Sequence, residues 1–281
     1  MRTSSRLTST CRATVLAMDQ AEVDGRIQAY YSQHFAEGER LTVRSAQGRL
    51  EFERVQELVA ARIPTGSRIL DIGGATGVHS APLAALGHEV VLIDPVLTQV
   101  QEALRHGTFE AVVGDARDLR FEDDSFDAAL LFGPLYHLAT REDRLLALGE
   151  ARRVVRPGGW VFAAAIPRVA RHAVLTLAEG VPHPYPSDWI SLLEHGDPPD
   201  WGRFPGAHFH TAEELEAELE HSGLVNVSVC AIEGPDGLAF EQVREVDDDL
   251  HEAALRIVRS VGHLPGVRDM TNHMMGMAQV A

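Results

Sequence analysis

The sequence predicts an α/β protein whose doubly wound sheet has seven strands, most of them parallel. Two observations lead to this fold class. Short apolar runs alternate with helical patterns from residue 68 onward, which is typical of parallel strands joined by crossover helices. One of these runs, residues 90–93, is apolar at every position, as expected of a strand that is buried on both faces of its sheet. The 281 residues suffice for one large domain.

Two helices are predicted before the sheet, over residues 21–34 and 50–63. The second repeats apolar residues at helical spacing and stops at Pro64. We expect residues 19–63 to form a helical lid. Residues 1–18 hold three arginines and no acid, a composition that transit peptides share. We expect a disordered extension there, and a targeting role is the alternative.

The predicted strands are short and mainly apolar, and they occupy residues 68–72, 90–93, 111–113, 126–132, 160–166, 225–232 and 273–280. Helical patterns over residues 78–86, 96–105 and 141–155 join the first five strands. Thr140 with Asp143 and Thr211 with Glu214 have capping-box spacing, so each pair is expected to start a helix. The Pro-Gly-Gly string at 157–159 is predicted to end the helix that precedes the fifth strand, and residues 234–237 are predicted to form a turn.

Regular patterns lapse between residues 167 and 210, a stretch that is rich in proline. A segment this long is unusual in a compact domain, so we expect an insertion that forms the substrate site of one domain spanning residues 19–281. Its aromatic residues, Trp189 among them, indicate a flat or apolar substrate. A small core formed by these aromatic residues themselves is the alternative.

Charge and composition exclude several classes of protein. Arg and Lys number 25 against 41 acids, and the net charge of −16 disfavours a nucleic-acid partner. Every basic residue is arginine, which removes lysine as a Schiff-base or phosphate-loop residue. Cys11 and Cys230 make neither a disulfide framework nor a zinc site. No apolar run approaches the roughly 20 residues of a membrane span, so a cytoplasmic protein without a membrane partner is expected.

A glycine-rich turn follows the first strand, in the string Asp71-Ile-Gly-Gly-Ala-Thr-Gly77. Glycine lets the backbone approach a ligand closely and adopt positive φ angles. The string matches neither the G-x-G-x-x-G fingerprint nor a P-loop, which disfavours NAD and nucleoside triphosphates. Asp94 ends the next strand, where doubly wound folds hydrogen-bond ribose hydroxyls. A ligand with a ribose and no phosphate fits these residues best.

These motifs resemble the class I S-adenosylmethionine-dependent methyltransferases, and the resemblance implies their Rossmann-like fold. Four motifs carry it in order: the acid and glycines of the first turn, Asp94, the stretch 114–127, and the string Arg153-Val-Val-Arg-Pro-Gly-Gly159. It implies S-adenosyl-L-methionine as the cofactor. The cofactor-binding residues expected from it are Tyr30, Asp71, Gly73, Gly74, Gly77, Asp94, Asp115, Ala116, Phe132 and Gly133. Ala75 departs from the family, where many members have glycine, and we expect binding to tolerate it.

The end of the fourth strand reads Leu131-Phe-Gly-Pro-Leu-Tyr-His-Leu138, which resembles a string of small-molecule methyltransferases. His137 is the predicted general base, because imidazole titrates near neutral pH, and Tyr31 is the second catalytic candidate. Tyr30 and Tyr31 lie in the first predicted helix, which related enzymes fold over the cofactor. No cluster with metal-ligand spacing is recognisable, so a reaction without a metal is expected.

The acceptor site is predicted from Tyr136, Trp189, His208 and His210. The overall pattern is similar to Streptomyces-type methyltransferases of alkaloid pathways, some of which methylate carbon C3 of indole. We therefore expect a small aromatic or indole-containing natural product as the acceptor. Methylation of nitrogen or oxygen on another metabolite is one alternative, and a regulatory protein that binds the cofactor without turnover is the other. The sequence leaves the oligomeric state open.

Overall fold

The computed structural model describes residues 45–179, 186–198 and 207–281, together with Gly25 and Leu41. Every structural statement below concerns these residues. The predicted extension 1–18, the helix 21–34 apart from Gly25, and both Tyr30 and Tyr31 lie outside them.

A seven-stranded sheet forms the centre of the described fold and confirms the predicted α/β class. Its strands are β1 (Arg68–Ile72), β2 (Glu89–Asp94), β3 (Glu110–Val113), β4 (Phe126–Leu131), β5 (Val155–Ala165), β6 (Leu224–Ala231) and β7 (Met274–Val280). They lie side by side in the order β3-β2-β1-β4-β5-β7-β6. The first five strands are parallel, and β7 runs antiparallel to both β5 and β6. The strand order reverses between β1 and β4, which is where doubly wound folds bind ligands.

Nine helices of the described residues surround or extend this sheet. They are α1 (Ala46–Ala60), α2 (Ser80–Ala85), α3 (Leu97–Ala103), α4 (Arg141–Val154), α5 (Arg168–Glu179), α6 (Asp188–His195), α7 (Ala212–His221), α8 (Pro235–Phe240) and α9 (Asp248–Val261). Single 3-10 turns lie at Leu104–His106 and Pro134–Tyr136. The predicted capping box of Thr211 and Glu214 is present at the start of α7. None of these helices has the length and apolar character needed to cross a membrane.

Two hydrophobic clusters pack against opposite faces of the sheet. Leu70 and Ile72 belong to the cluster that includes residues of α4 and α7, whereas Ile69 belongs to the cluster that includes residues of α1 and α2. This division follows from the alternation of side chains along β1, and the central strands are apolar on both faces because helices bury both. A ligand therefore reaches this part of the fold at the carboxyl edge of the strands.

Three local predictions differ from the structure. β5 includes residues 157–159, because its pairing with β4 shifts register between Val155 and Trp160. Residues 234–237 begin α8 rather than form a separate turn, since Pro235 occupies the first helical position, where no N–H donor is needed. The insertion 167–210 holds two helices, α5 and α6, where the sequence predicted irregular structure.

A buried ion pair anchors the loop that follows β4. Arg144 of α4 donates hydrogen bonds to the Glu218 carboxylate of α7 at 2.7 to 3.1 Å. It also donates to the carbonyls of Leu138 and Ala139 at 3.1 and 2.9 Å. Burial alone would raise the pKa of Glu218, but hydrogen bonds from His210 and Arg144 lower it to about 2. Glu218 is therefore ionised, and its partner Arg144 holds the loop in place.

Glu218→Ala is expected to lower the free energy of unfolding by about 3–5 kcal/mol, because it leaves the buried Arg144 charge without its carboxylate. Chemical denaturation followed by circular dichroism measures this loss. Glu220→Ala is the matched control, since it removes an exposed acid of the same helix and should stay within about 0.5 kcal/mol of wild type. Equal stability of the two variants would contradict the role given to the ion pair.

Candidate functional site

A pocket opens at the carboxyl ends of β1 to β4, beside the reversal of the strand order. Its walls come from the glycine turn after β1, the ends of β2 and β3, and the loop after β4. Eight residues that the sequence predicted for the cofactor line it: Asp71, Gly73, Gly74, Asp94, Asp115, Ala116, Phe132 and Gly133. The sequence motifs therefore converge on one place in the fold.

Two glycines let the turn after β1 pass close to neighbouring elements. Gly73 has a φ of +72°, and a Cβ there would lie 3.0 Å from the ring of Pro134. Gly77 has a φ of +81°, and its Cβ would lie 2.4 Å from the ring of Phe109. Ala75 also adopts a left-handed conformation, with a φ of +48°. A side chain in that region costs about 1–2 kcal/mol, so the departure from glycine strains the turn.

Asp94 links three parts of the site through one carboxylate. Its Oδ2 accepts a hydrogen bond from the Ala75 amide at 3.0 Å, and its Oδ1 accepts one from the Val96 amide at 2.8 Å. Burial raises the pKa of Asp94 to about 6, although both hydrogen bonds act in the opposite direction. A carboxylate held in this way at the pocket wall has the position and the acceptor chemistry that a ribose diol requires.

Asp71 is the second buried acid of the pocket. Its Oδ2 accepts a hydrogen bond from the Ser80 hydroxyl at 2.6 Å, and a Cβ on Gly74 would lie 2.6 Å from the same oxygen. Burial raises the pKa of Asp71 to about 6; the Ser80 hydroxyl lowers it, and the charge of Asp94 raises it. Two buried carboxylates that repel each other make this part of the pocket favourable for a cation.

Asp115 is held by Arg117, a lining residue that was not predicted from the sequence. The Arg117 guanidinium donates to both oxygens of Asp115 at 2.6 to 3.2 Å, and the Arg117 amide donates at 2.8 Å. Burial alone would raise the pKa of Asp115, but these hydrogen bonds and the charge of Arg117 hold it below its usual range. The carboxylate is therefore ionised and oriented, with Ala116 beside it in the pocket wall.

The loop after β4 brings Gly133, Tyr136 and His137 to the pocket. A Cβ on Gly133 would lie 3.4 Å from the carbonyl oxygen of Gly73, so this loop and the glycine turn are in contact. The Tyr136 hydroxyl donates to the Phe132 carbonyl at 2.7 Å, and the rings of Tyr136 and His137 are 4.9 Å apart. The predicted base thus lies in the wall next to the glycine turn.

Two further lining residues, Glu51 and His79, were not found from the sequence. His79 stacks on Phe52 and meets the Phe132 ring edge-on, at centroid distances of 5.6 and 5.1 Å. Glu51 is buried one helical turn before Val55 on α1. Glu51 could have been found from the sequence as a candidate, because it is an acid on the apolar side of a predicted helix.

Three residues predicted for the acceptor lie elsewhere in the described structure. Trp189 is 1% exposed within the small core of the insertion, where its ring meets His172 at 4.6 Å. His210 is buried with its Nε2 atom 3.2 Å from Glu218, and His208 packs edge-on against His210. None of the three is among the residues that line the described pocket. This geometry therefore does not support an acceptor role for Trp189, His208 and His210, because their rings contact other side chains of the protein.

Glu51 also belongs to a cluster with Glu233 and His273, whose potential ligand atoms lie within 4.8 Å of one another. No metal-binding cluster was expected from the sequence, because the members of this group come from three distant parts of the chain.

The central part of the chain is similar to known methyltransferases. Residues 70–163 match a family described as a methyltransferase domain. The ubiquinone biosynthesis O-methyltransferase of Methylobacterium sp. (strain 4-46) is 33% identical over 165 residues, which cover 57% of this chain and 60% of that protein. The demethylmenaquinone methyltransferase of Clavibacter sepedonicus is 32% identical over 150 residues, which cover 52% and 60%. The chain thus spans about 60% of the length of these relatives.

A solved structure shows the same architecture. It is a SAM-dependent methyltransferase of Thermotoga maritima, described as a possible histamine N-methyltransferase. The two share 16% sequence identity with a TM-score of 0.59, over 92% of this chain and 99% of that one. The likeness confirms the predicted Rossmann-like fold of the SAM-dependent methyltransferases.

The stability of Asp94→Asn relative to wild type is expected to rise between about pH 4 and pH 6, although the variant leaves one of the two amides that Asp94 accepts from without an acceptor at every pH. The pKa of Asp94 in the folded protein is raised to about 6 from the ordinary value of 3.8. Between about pH 4 and pH 6 the folded protein therefore binds a proton at Asp94 that the unfolded chain has released. Wild-type stability is therefore lost as the pH rises from about 4 to 6, by roughly 2–3 kcal/mol, and the uncharged variant avoids this loss. Denaturation curves of both cofactor-free proteins at four pH values measure the difference.

The control for this experiment is Asp118→Asn, whose side chain is 77% exposed. Its stability relative to wild type should not change across the same pH range. A difference for Asp94→Asn that is equally flat would show that the Asp94 carboxyl has no raised pKa.

Proposed function

We propose that this chain, which has the fold of the SAM-dependent methyltransferases, transfers a methyl group from S-adenosyl-L-methionine to a small-molecule acceptor. The observation that carries the proposal is the Asp94 carboxylate, which binds the glycine turn and lines the pocket where the strand order reverses. The methyltransferase-domain match over residues 70–163 includes this region and supports the same activity.

The residues present fit this cofactor. Asp94 would accept hydrogen bonds from the ribose hydroxyls, and Gly73 and Gly74 let the backbone come close to the ligand. Asp115 would accept from the adenine amino group, with the Ala116 amide beside the ring. When bound, the cofactor supplies an activated methyl group on its positively charged sulfur. The buried acids of this half of the pocket favour that positive charge.

The chain's own part in the reaction is alignment and removal of a proton. His137 lines the same pocket as Gly133, which lies against the glycine turn, and this supports His137 as the base. The His137 imidazole would take the proton that the acceptor loses on methylation. Arg144 fixes the two backbone carbonyls that follow His137, which limits the freedom of the base. Tyr31, the other catalytic candidate, lies outside the described residues and stays a prediction.

The proposed acceptor is a flat aromatic ring, with an indole-containing natural product as the specific candidate. Four lining residues (His79, Phe132, Tyr136 and His137) give the pocket an aromatic wall beyond the glycine turn, which suits a planar ring. The two relatives are named for ubiquinone biosynthesis and for demethylmenaquinone, and quinones are also planar. NMR mapping of a labelled methyl group in the product distinguishes carbon, nitrogen and oxygen. Transfer to oxygen or aliphatic nitrogen alone would refute the indole carbon and leave the N- or O-methyltransferase alternative.

The proposal includes a cytoplasmic setting and no nucleic-acid or membrane partner, in keeping with the net charge of −16. A regulatory protein that only binds the cofactor is the alternative from another class. Release of S-adenosylhomocysteine in the presence of an acceptor separates the two, because a binding protein does not release it.

Asp94→Ala is expected to weaken binding of S-adenosyl-L-methionine by roughly tenfold or more, because it removes the ribose acceptor and releases the Ala75 amide. Isothermal titration calorimetry without an acceptor measures the dissociation constant. Asp249→Ala, which removes an exposed acid of α9, is the control and should bind as wild type does. Unchanged affinity of the Asp94 variant would refute the proposed cofactor site.

His137→Ala is expected to lower kcat by about 10²- to 10⁴-fold, because the acceptor then loses its proton without a base. Cofactor affinity should stay near the wild-type value. With a phenol acceptor the loss should shrink at high pH, where the phenol deprotonates unaided, whereas with an indole acceptor it should persist. Steady-state assays with labelled cofactor measure both effects. His263→Ala removes an exposed imidazole and serves as the control. A near-normal kcat for His137→Ala would move the base to another residue.

A further inference from the structure

Helix α9 carries apolar side chains on its outer surface as well as on its buried side. Leu250 and Ile257 are 48% and 44% exposed, and Ala253 and Val261 are partly exposed. These four residues recur at i, i+3, i+7 and i+11, so they form one stripe along the helix, here called the α9 stripe. Adjoining apolar residues that stay exposed in this way mark surfaces for protein–protein contact.

The α9 stripe differs from the sides of the helix that are already occupied. The buried side is formed by His251, Ala254, Leu255 and Val258. Three pairs of side chains join α9 to α1: His251 with Glu53, Asp248 with Arg49, and Arg259 with Glu57. The α9 members of these pairs lie roughly 100–180° around the helix from Leu250. The stripe is therefore not the surface that packs on α1.

Two opposite charges lie along the solvent side of the stripe. Asp249 is in the first turn of α9 and Arg256 follows seven residues later, and both are exposed. Seven residues make almost two helical turns, so the two side chains share one side of the helix. Within the part of the chain that the structure describes, the ion pairs of α9 involve Asp248, His251, Glu252 and Arg259 but neither of these two residues. Both charges are thus available to a partner.

A second copy of the same helix complements this surface when it runs antiparallel. A twofold axis near Ala253 sets Leu250 of one copy opposite Ile257 of the other, because they lie three and four residues from it. Asp249 and Arg256 lie four and three residues from the same axis, so each acid comes close to an arginine of the other copy. A parallel arrangement would instead bring like charges together, which is unfavourable.

We propose that the protein forms a homodimer in which the α9 helices of two copies pack antiparallel through the α9 stripe. Apolar contact stabilises the pair, whereas the two Asp249–Arg256 pairs select its direction. The small side chain of Ala253 lies at the crossing point and lets the two helices approach closely. This inference does not depend on the proposed function.

The proposed contact is small, because α9 has 14 residues and only one side of it takes part. Small interfaces form weak complexes, so the dimer is expected to depend on protein concentration. Sedimentation velocity from about 1 μM to about 1 mM covers the range of weak association. At about 0.15 M salt the Debye length is about 8 Å, which screens the repulsion between two chains of net charge −16.

Ile257→Lys is expected to raise the dimer dissociation constant by roughly tenfold or more, because it puts two charges into the apolar contact. Leu146→Lys is the matched control, since it makes a similar change at a residue of α4 that is 55% exposed. The control should dimerise as wild type does. Circular dichroism shows whether each variant keeps its fold.

Exchange of the two charges tests the antiparallel direction without touching an apolar residue. Asp249→Arg alone and Arg256→Asp alone each create two like-charge contacts, and each should weaken the dimer by roughly tenfold. The double variant with both changes restores two opposite-charge pairs and should return the dissociation constant to within about threefold of wild type. Both residues are exposed, so these variants test the contact even if Ile257→Lys fails to fold.

Three results would overturn the inference. Wild type that stays monomeric up to about 1 mM would show that no second copy binds the stripe. A dimer that withstands Ile257→Lys and both single charge reversals would place the contact on another surface. A double variant that remains as weak as the single ones would refute the antiparallel arrangement, because a twofold axis near Ala253 requires the exchanged charges to pair again.

Discussion

The carboxylate of Asp94 is the constraint on which the ligand end of this fold depends. It accepts hydrogen bonds from the turn after β1 and from the start of α3, so one buried charge joins two neighbouring crossovers. The amide of Gly73 adds a bond of 2.7 Å to the Ile93 carbonyl, which holds the same turn against the end of β2. These bonds offset the strain of Ala75 and fix the turn before any ligand binds. A pocket shaped in advance loses less conformational entropy on binding.

The cofactor half of the site could be predicted from the sequence because its signals are local. Asp71 lies in β1 next to the turn, Asp94 ends β2, and Asp115 lies two residues beyond β3. The alternation of strands and helices then brings these positions to the carboxyl edge of the parallel strands. This placement does not depend on the structure of the rest of the chain. Local signals predicted secondary structure less reliably where glycine and proline are compatible with both a turn and a helix start. The string at 234–237 has the composition of a turn, yet the same residues suit a helix start.

Glu51 could not be predicted as a lining residue, because tertiary packing brings it to the pocket from a distant segment of the chain. Glu51 meets Glu233 and His273 only because α1 packs near the ends of β6 and β7. Trp189 shows the opposite error. An aromatic residue in an insertion suggests a substrate wall, but this one is buried with Ile166, Leu175 and Phe209 in a core of the insertion's own. Sequence pattern identifies a residue that has to be buried and does not say which partner buries it.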